Sequence, residues 1–179
     1  MTFRNLNVVA HRWMGIASSI VLVIAGLTGA LLIWPIGQPW GSRMAHLHVN
    51  LFMGGPGEII VLVCTWIGVV LILGGLYLWW KTKTFRIRTA SGWRSFVIDL
   101  HYSLGVFTLL LTLVIAATGA LRAHLGPGRA RNVISRFHTT ARFPQPVKAA
   151  YAVGSLAFVV EGITGVVMWA AKQRKARRS

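Results

Sequence analysis

Six histidines, at positions 11, 46, 48, 101, 124 and 138, have the widest chemical reach of any residues in this 179-residue sequence. Imidazole is the commonest side-chain ligand of transition metals, and one of its nitrogens can hold haem iron while the other is anchored by the protein. The single cysteine, Cys64, lies inside an apolar run, so no CxxC or CxxCH element exists. Zinc fingers, thiol redox pairs and covalently attached c-type haem are thereby excluded. A haem in this chain would be a non-covalent b-type group held by histidine.

Two of the histidines head narrow stripes of small residues. On a helix His11, Gly15, Ser18, Leu22, Ala25 and Gly29 share one face, and His101, Gly105, Thr108, Thr112, Ala116 and Gly119 share another. Such stripes let helices pack closely, with the histidines as interfacial polar groups. They also suit haem: a glycine one turn from each ligand, Gly15 beside His11 and Gly105 beside His101, leaves room for the flat macrocycle. The appearance of the same device twice favours cofactor binding.

The elements that must carry these residues are membrane helices. The sequence is 55% hydrophobic and only 12% charged, with 19 Lys and Arg against 3 Asp and Glu. A soluble domain carries about 25% charged residues. The net charge of +16 sits in clusters between apolar runs, a distribution that argues against nucleic-acid binding. Runs over about 13–34, 58–80, 98–121 and 147–171 each meet the roughly 20 residues a bilayer demands. The expected fold is an all-α membrane protein with four transmembrane helices. Arg4, Arg12, the loop Lys81 to Arg94 and the tail KQRKARR lie on one side of these spans. Arg43, Arg122, Arg129, Arg131, Arg136, Arg142 and Lys148 lie on the other. The excess on the first side places both termini in the cytoplasm, and the tail is suited to anionic membrane lipid.

Sliding the sequence along itself at an offset of 90 pairs His11 with His101, Gly15 with Gly105, and TGAL at Thr28 with TGAL at Thr118. It also pairs His48 with His138, Gly75 with Gly165 and Trp79 with Trp169. The order of rare residues implies two parallel two-helix repeats, residues 1–90 and 91–179, within one integral membrane domain. A haem on the axis relating them takes one imidazole from each half. The natural pairs are His11 with His101 at the cytoplasmic end and His48 with His138 at the outer end, which gives two haems. Gly54 to Gly57, and likewise Pro144 and Pro146, would interrupt a helix, so His48 and His138 are expected on short interfacial segments before spans two and four. His46 and His124 have no histidine counterpart and stand as alternative outer ligands.

The motifs HRWMG and TGALLIW in helix one, HLHVNLFMGGPGE before helix two, GGLYLWWK at its end, and DLHYSLG with TGAL in helix three resemble the PepSY-associated transmembrane proteins. FHTTA and GITGVVMW extend the resemblance more weakly into the last quarter. It implies a bacterial inner-membrane protein, with His11, His48, His101 and His138 as axial ligands of haem b. Some members reduce ferric siderophores, so it also implies a haem-dependent ferric reductase. The sequence departs from the family in one respect: only about twenty residues connect helices one and two, where extracytoplasmic PepSY domains usually lie.

No GxGxxG follows a strand, so nicotinamide and flavin are not expected, and the donor must be a quinol or a separate reductase. The outer arginines suit an anionic ferric chelate, haem propionates or lipid headgroups. Glu161, in mid-span, reads either as a protonated carboxyl bonded to a neighbouring helix or as a group handling protons or quinol. The competing reading is a non-catalytic accessory subunit of a larger membrane complex. A small transporter fits less well, because no span shows a broken helix at mid-depth and Glu161 is the one mid-membrane acid.

Overall fold

The computed structural model describes residues 2–83, 85–90 and 92–176, and among these every regular element is helical. Seven helices follow in order: α1 (Phe3–Leu32), α2 (Trp40–Asn50), α3 (Gly55–Trp80), α4 (Trp93–Phe107), α5 (Leu109–His124), α6 (Arg129–Thr139) and α7 (Gln145–Ala176). Three of them, α1, α3 and α7, are long and apolar enough to cross a membrane, and the bent pair α4–α5 makes a fourth span if read as one. Arg177 and Arg178 of the basic tail lie outside the described residues.

The spans reach beyond their apolar cores. Helix α1 starts at Phe3 because the Thr2 hydroxyl caps it, accepting a hydrogen bond from the Asn5 amide at 3.3 Å, and it ends before Pro35. Helices α2 and α6 are the short segments expected before the second and fourth spans, and each ends in a left-handed residue, Leu51 and Thr140. Those turns send the chain directly back into α3 and α7.

The unbroken third span expected from the sequence is corrected. Helices α4 and α5 meet at Thr108 with a 68° bend. The Thr108 hydroxyl donates to the Leu104 carbonyl at 2.9 Å, and Thr112 donates back to Thr108 at 3.0 Å. A hydroxyl that bonds a carbonyl one turn back eases a helix toward bending without forcing it. The absence of a mid-depth break therefore no longer counts against a transporter.

The packing is that of a membrane bundle. Small residues such as Ala30, Ala116, Ala120 and Ala157 fill the interior, whereas Phe107, Leu110 and Ile20 are more than 70% exposed, on the surface lipid would cover. Several buried hydroxyls bond carbonyls of their own helices: Ser18 donates to Met14, Thr28 to Ile24 and Thr118 to Val114. Helix α1 comes close against α7, where a Cβ on Gly26 would stand 2.6 Å from the Ser155 carbonyl oxygen.

The loop before α4 is clamped to it by Arg88. Its Nε donates to Asp99 Oδ2 at 2.8 Å, its Nη2 to Oδ1 at 3.0 Å and its backbone N–H to Oδ2 at 3.0 Å. The Asp99 side chain is 2% exposed and the Arg88 side chain 40%. Removing the arginine strands a buried carboxylate, whereas removing the aspartate leaves a guanidinium that can reach water. Arg88→Ala is therefore expected to lower the melting temperature in detergent more than Asp99→Ala does.

Candidate functional site

The helices bring the four histidines that recur at the offset of 90 together in two pairs. His11 on α1 and His101 on α4 face each other with ring centroids 6.4 Å apart and planes crossed at 87°. They border a cavity of about 400 Å³, which Gly15, Gly105, Glu161 and Trp169 also line. His101 Nδ1 lies 2.9 Å from Thr164 Oγ1 and 2.9 Å from Glu161 Oε2, both on α7. The Thr164 hydroxyl donates to the Val160 carbonyl at 2.7 Å, so towards His101 it acts as an acceptor. With two acceptors on it, Nδ1 carries the proton and Nε2 keeps its lone pair free.

In the second pair both rings are anchored. His48 on α2 and His138 on α6 have ring centroids 6.1 Å apart and planes inclined at 35°. His48 Nδ1 donates to the Ala25 carbonyl at 3.1 Å and to Thr28 Oγ1 at 2.9 Å. His138 Nδ1 donates to the Ile115 carbonyl at 3.2 Å and to Thr118 Oγ1 at 3.3 Å. Burial lowers the pKa of His138 to about 4, and repulsion from His48 and Arg122 acts in the same direction. Burial also lowers that of His48, opposed by its bond to Ala25. Both imidazoles are thus neutral at physiological pH, the state in which Nε2 can bind a metal.

The sequence profile of the PepSY-associated TM region matches residues 35–130, more than half of the chain. The protein belongs to that family. Comparison with curated proteins and with solved structures finds no match. The matched segment of this PepSY-associated protein contains His48 and His101, while His11 and His138 lie on either side of it.

Several features bear on whether these residues fit haem. Two imidazoles on one iron, each bonded at about 2 Å through Nε2, hold their ring centroids on the order of 6 Å apart. Both observed separations match. Each ring rests on a glycine: His11 Cε1 lies 3.3 Å from where a Cβ of Gly75 would stand, and the matching distances are 3.7 Å for His101 at Gly165, 3.3 Å for His48 at Gly29 and 2.9 Å for His138 at Gly119. Among the described residues six buried polar side-chain atoms lack a partner, and four of them belong to residues that line the His11–His101 cavity: His11 Nδ1, Arg12 Nε, Glu161 Oε1 and Trp169 Nε1. Two of them, Arg12 Nε and Trp169 Nε1, are donors that a carboxylate-bearing ligand would satisfy. Arg4, Arg12 and Lys172 on the wall suit the two carboxylates of haem.

The PepSY-associated protein brings together His11 with His101 and His48 with His138, and keeps the remaining two histidines apart from them. His46 is exposed, and His124 Nε2 accepts a hydrogen bond from Trp66 Nε1 at 3.0 Å. Gly15 and Gly105 both line the cavity, but the space beside Gly105 is taken by the Glu161 carboxyl group, 3.5 Å from where a Cβ would stand. The residues that hold each Nδ1 were not singled out as such in the sequence. The recurrence of Thr28 at Thr118 carried the signal for one pair, whereas Thr164 and Glu161 face Gly74 and Leu71 in the offset alignment and gave none.

Proposed function

We propose that this PepSY-associated protein is a b-type haem protein that carries electrons across the bacterial inner membrane, one haem held by His11 and His101 and a second by His48 and His138. The observation that carries the reading is the meeting of two histidine pairs at iron-spanning separation, with three of the four Nδ1 atoms anchored by acceptors. The two sites lie in two parallel two-helix repeats, with both termini in the cytoplasm. His48 packs against Gly29 on the helix that carries His11, which separates the sites by about 27 Å of helix rise. Haem bound there supplies a one-electron couple near each membrane surface. The chain fixes the imidazole tautomers, offers cations to the propionates and, through Arg129, Arg131 and Arg136 on α6, attracts an anion from the outer side.

The donor is a quinol or a separate reductase, and the acceptor an anionic ferric chelate such as a siderophore complex. One quinol gives up two electrons and two protons, and two ferric centres take one electron each.

Purified protein expressed with ample haem tests the assignment. Two haems per chain are expected, all extractable by acid acetone, with the low-spin b-type spectrum of bis-histidine iron. The oxidised protein should give two distinct low-spin electron paramagnetic resonance signals, because one imidazole pair is crossed and the other only moderately inclined. A fully helical preparation that takes up no haem overturns the reading.

The acceptor side has its own test. Pre-reduced protein in detergent should be reoxidised by anionic ferric chelates, more slowly as ionic strength rises. Replacing Arg129, Arg131 and Arg136 by Gln should slow it further. A rate indifferent to both salt and the triple substitution removes α6 from substrate attraction.

A further inference from the structure

The inner pair is unequal in a way the outer pair is not. His101 Nδ1 donates to a carboxylate, Glu161 Oε2, at 2.9 Å and shares that proton with Thr164 Oγ1. His11 Nδ1 is buried with no partner. The reason lies in the residues that occupy matching places. The nearest atom to a Cβ on Gly15 is Leu71 Cδ2 at 3.9 Å, whereas the three nearest to a Cβ on Gly105 all belong to the Glu161 carboxyl group, at 3.5 to 3.6 Å. In the outer pair both Nδ1 atoms donate to one carbonyl and one threonine hydroxyl, all neutral acceptors.

A carboxylate that accepts the Nδ1 proton makes the imidazole a stronger donor through Nε2, and its negative charge favours the more positive ferric state. The neutral acceptors on the outer rings add no such charge. Arg4, Arg12 and Lys172 also line the inner cavity, but no hydrogen bond joins them to either imidazole. We infer that Glu161 is a positioning residue that holds the His101 imidazole and makes the inner couple the more reducing of the two, so that electrons run downhill from the cytoplasmic to the outer site. This rests on the haem reading above. The transfer balances without protons: the inner couple loses one electron, the outer gains it, and the Nδ1 proton stays on His101.

Redox titration of the full chain loaded with haem tests the inference, with His138→Ala used to leave the inner couple alone in the spectrum. In the otherwise unaltered protein the inner midpoint should lie below the outer one. Glu161→Gln, which keeps the shape and removes the charge, should raise the inner midpoint by roughly 59 mV, a tenfold change for a one-electron couple, and leave the outer midpoint in place. Glu161→Leu, which copies Leu71, should raise it at least as far. The near-infrared charge-transfer band of the ferric inner site should shift with Glu161→Gln as the imidazole loses imidazolate character. An inner midpoint unmoved in Glu161→Gln with haem retained overturns the inference, as does an inner couple at or above the outer one before substitution. A chain that takes no haem at all overturns the functional reading beneath it.

Discussion

On the two-haem proposal, alanine in place of His101 or His11 should remove the same one of two haems, and alanine in place of His48 or His138 should remove the other. Each pair converges on one point from two separate helices, α1 and α4 for the inner pair and α2 and α6 for the outer. Loss of either imidazole would leave the proposed iron with one protein ligand in place of two. The sites share no hydrogen-bond partner and stand far apart, so their losses should be independent. Haem content measured by pyridine haemochrome should fall from two per chain to one in each single variant, and to none in His101→Ala with His138→Ala. The signal of the crossed imidazole pair should vanish only in the His11 and His101 variants. If His11→Ala and His138→Ala remove the same haem, the pairing is wrong.

Leucine in place of Gly26 should cost the protein both sites. A Cβ there already stands 2.6 Å from the Ser155 carbonyl oxygen, 3.1 Å from Val159 Cγ2 and 3.2 Å from Phe158 Cβ. The backbone of α7 cannot yield locally, so α1 must move away from it. Overpacking of this kind costs about 1–3 kcal/mol, and more where backbone is the obstacle. The consequence for function follows from what the two helices carry. Helix α1 bears His11 and the Thr28 and Gly29 contacts of His48, while α7 bears the Glu161 and Thr164 acceptors of His101. The melting temperature in detergent and the content of both haems should fall together. Gly37→Ala is the control, since nothing lies within 4 Å of its Cβ position and surface changes of this kind stay within about 0.5 kcal/mol. Equal behaviour of the two variants would show that α1 and α7 do not need this approach.

By itself the sequence determined what depends on spacing along one chain. Apolar length set the spans, because the bilayer demands it whatever the neighbours are. Helical period put His11 on a face with Gly29 and His101 on a face with Gly119, and recurrence at an offset of 90 named His48 and His138 as partners. The interruptions at Gly54 to Gly57 and at Pro144 and Pro146 placed those two on short helices of their own, α2 and α6. Tertiary structure decided what depends on how helices are rotated against each other, for which a single sequence carries no period. Glu161 meets His101 across 60 residues only because α7 turns that face toward α4. His124 is drawn to Trp66 on α3 instead of the outer pair. The bend at Thr108 needed the context too: Ser18 makes the equivalent hydroxyl bond, to Met14, within an unbroken α1, so the bond alone does not bend a helix. Local pattern therefore named the histidines that pair, and packing chose what stands beside each ring.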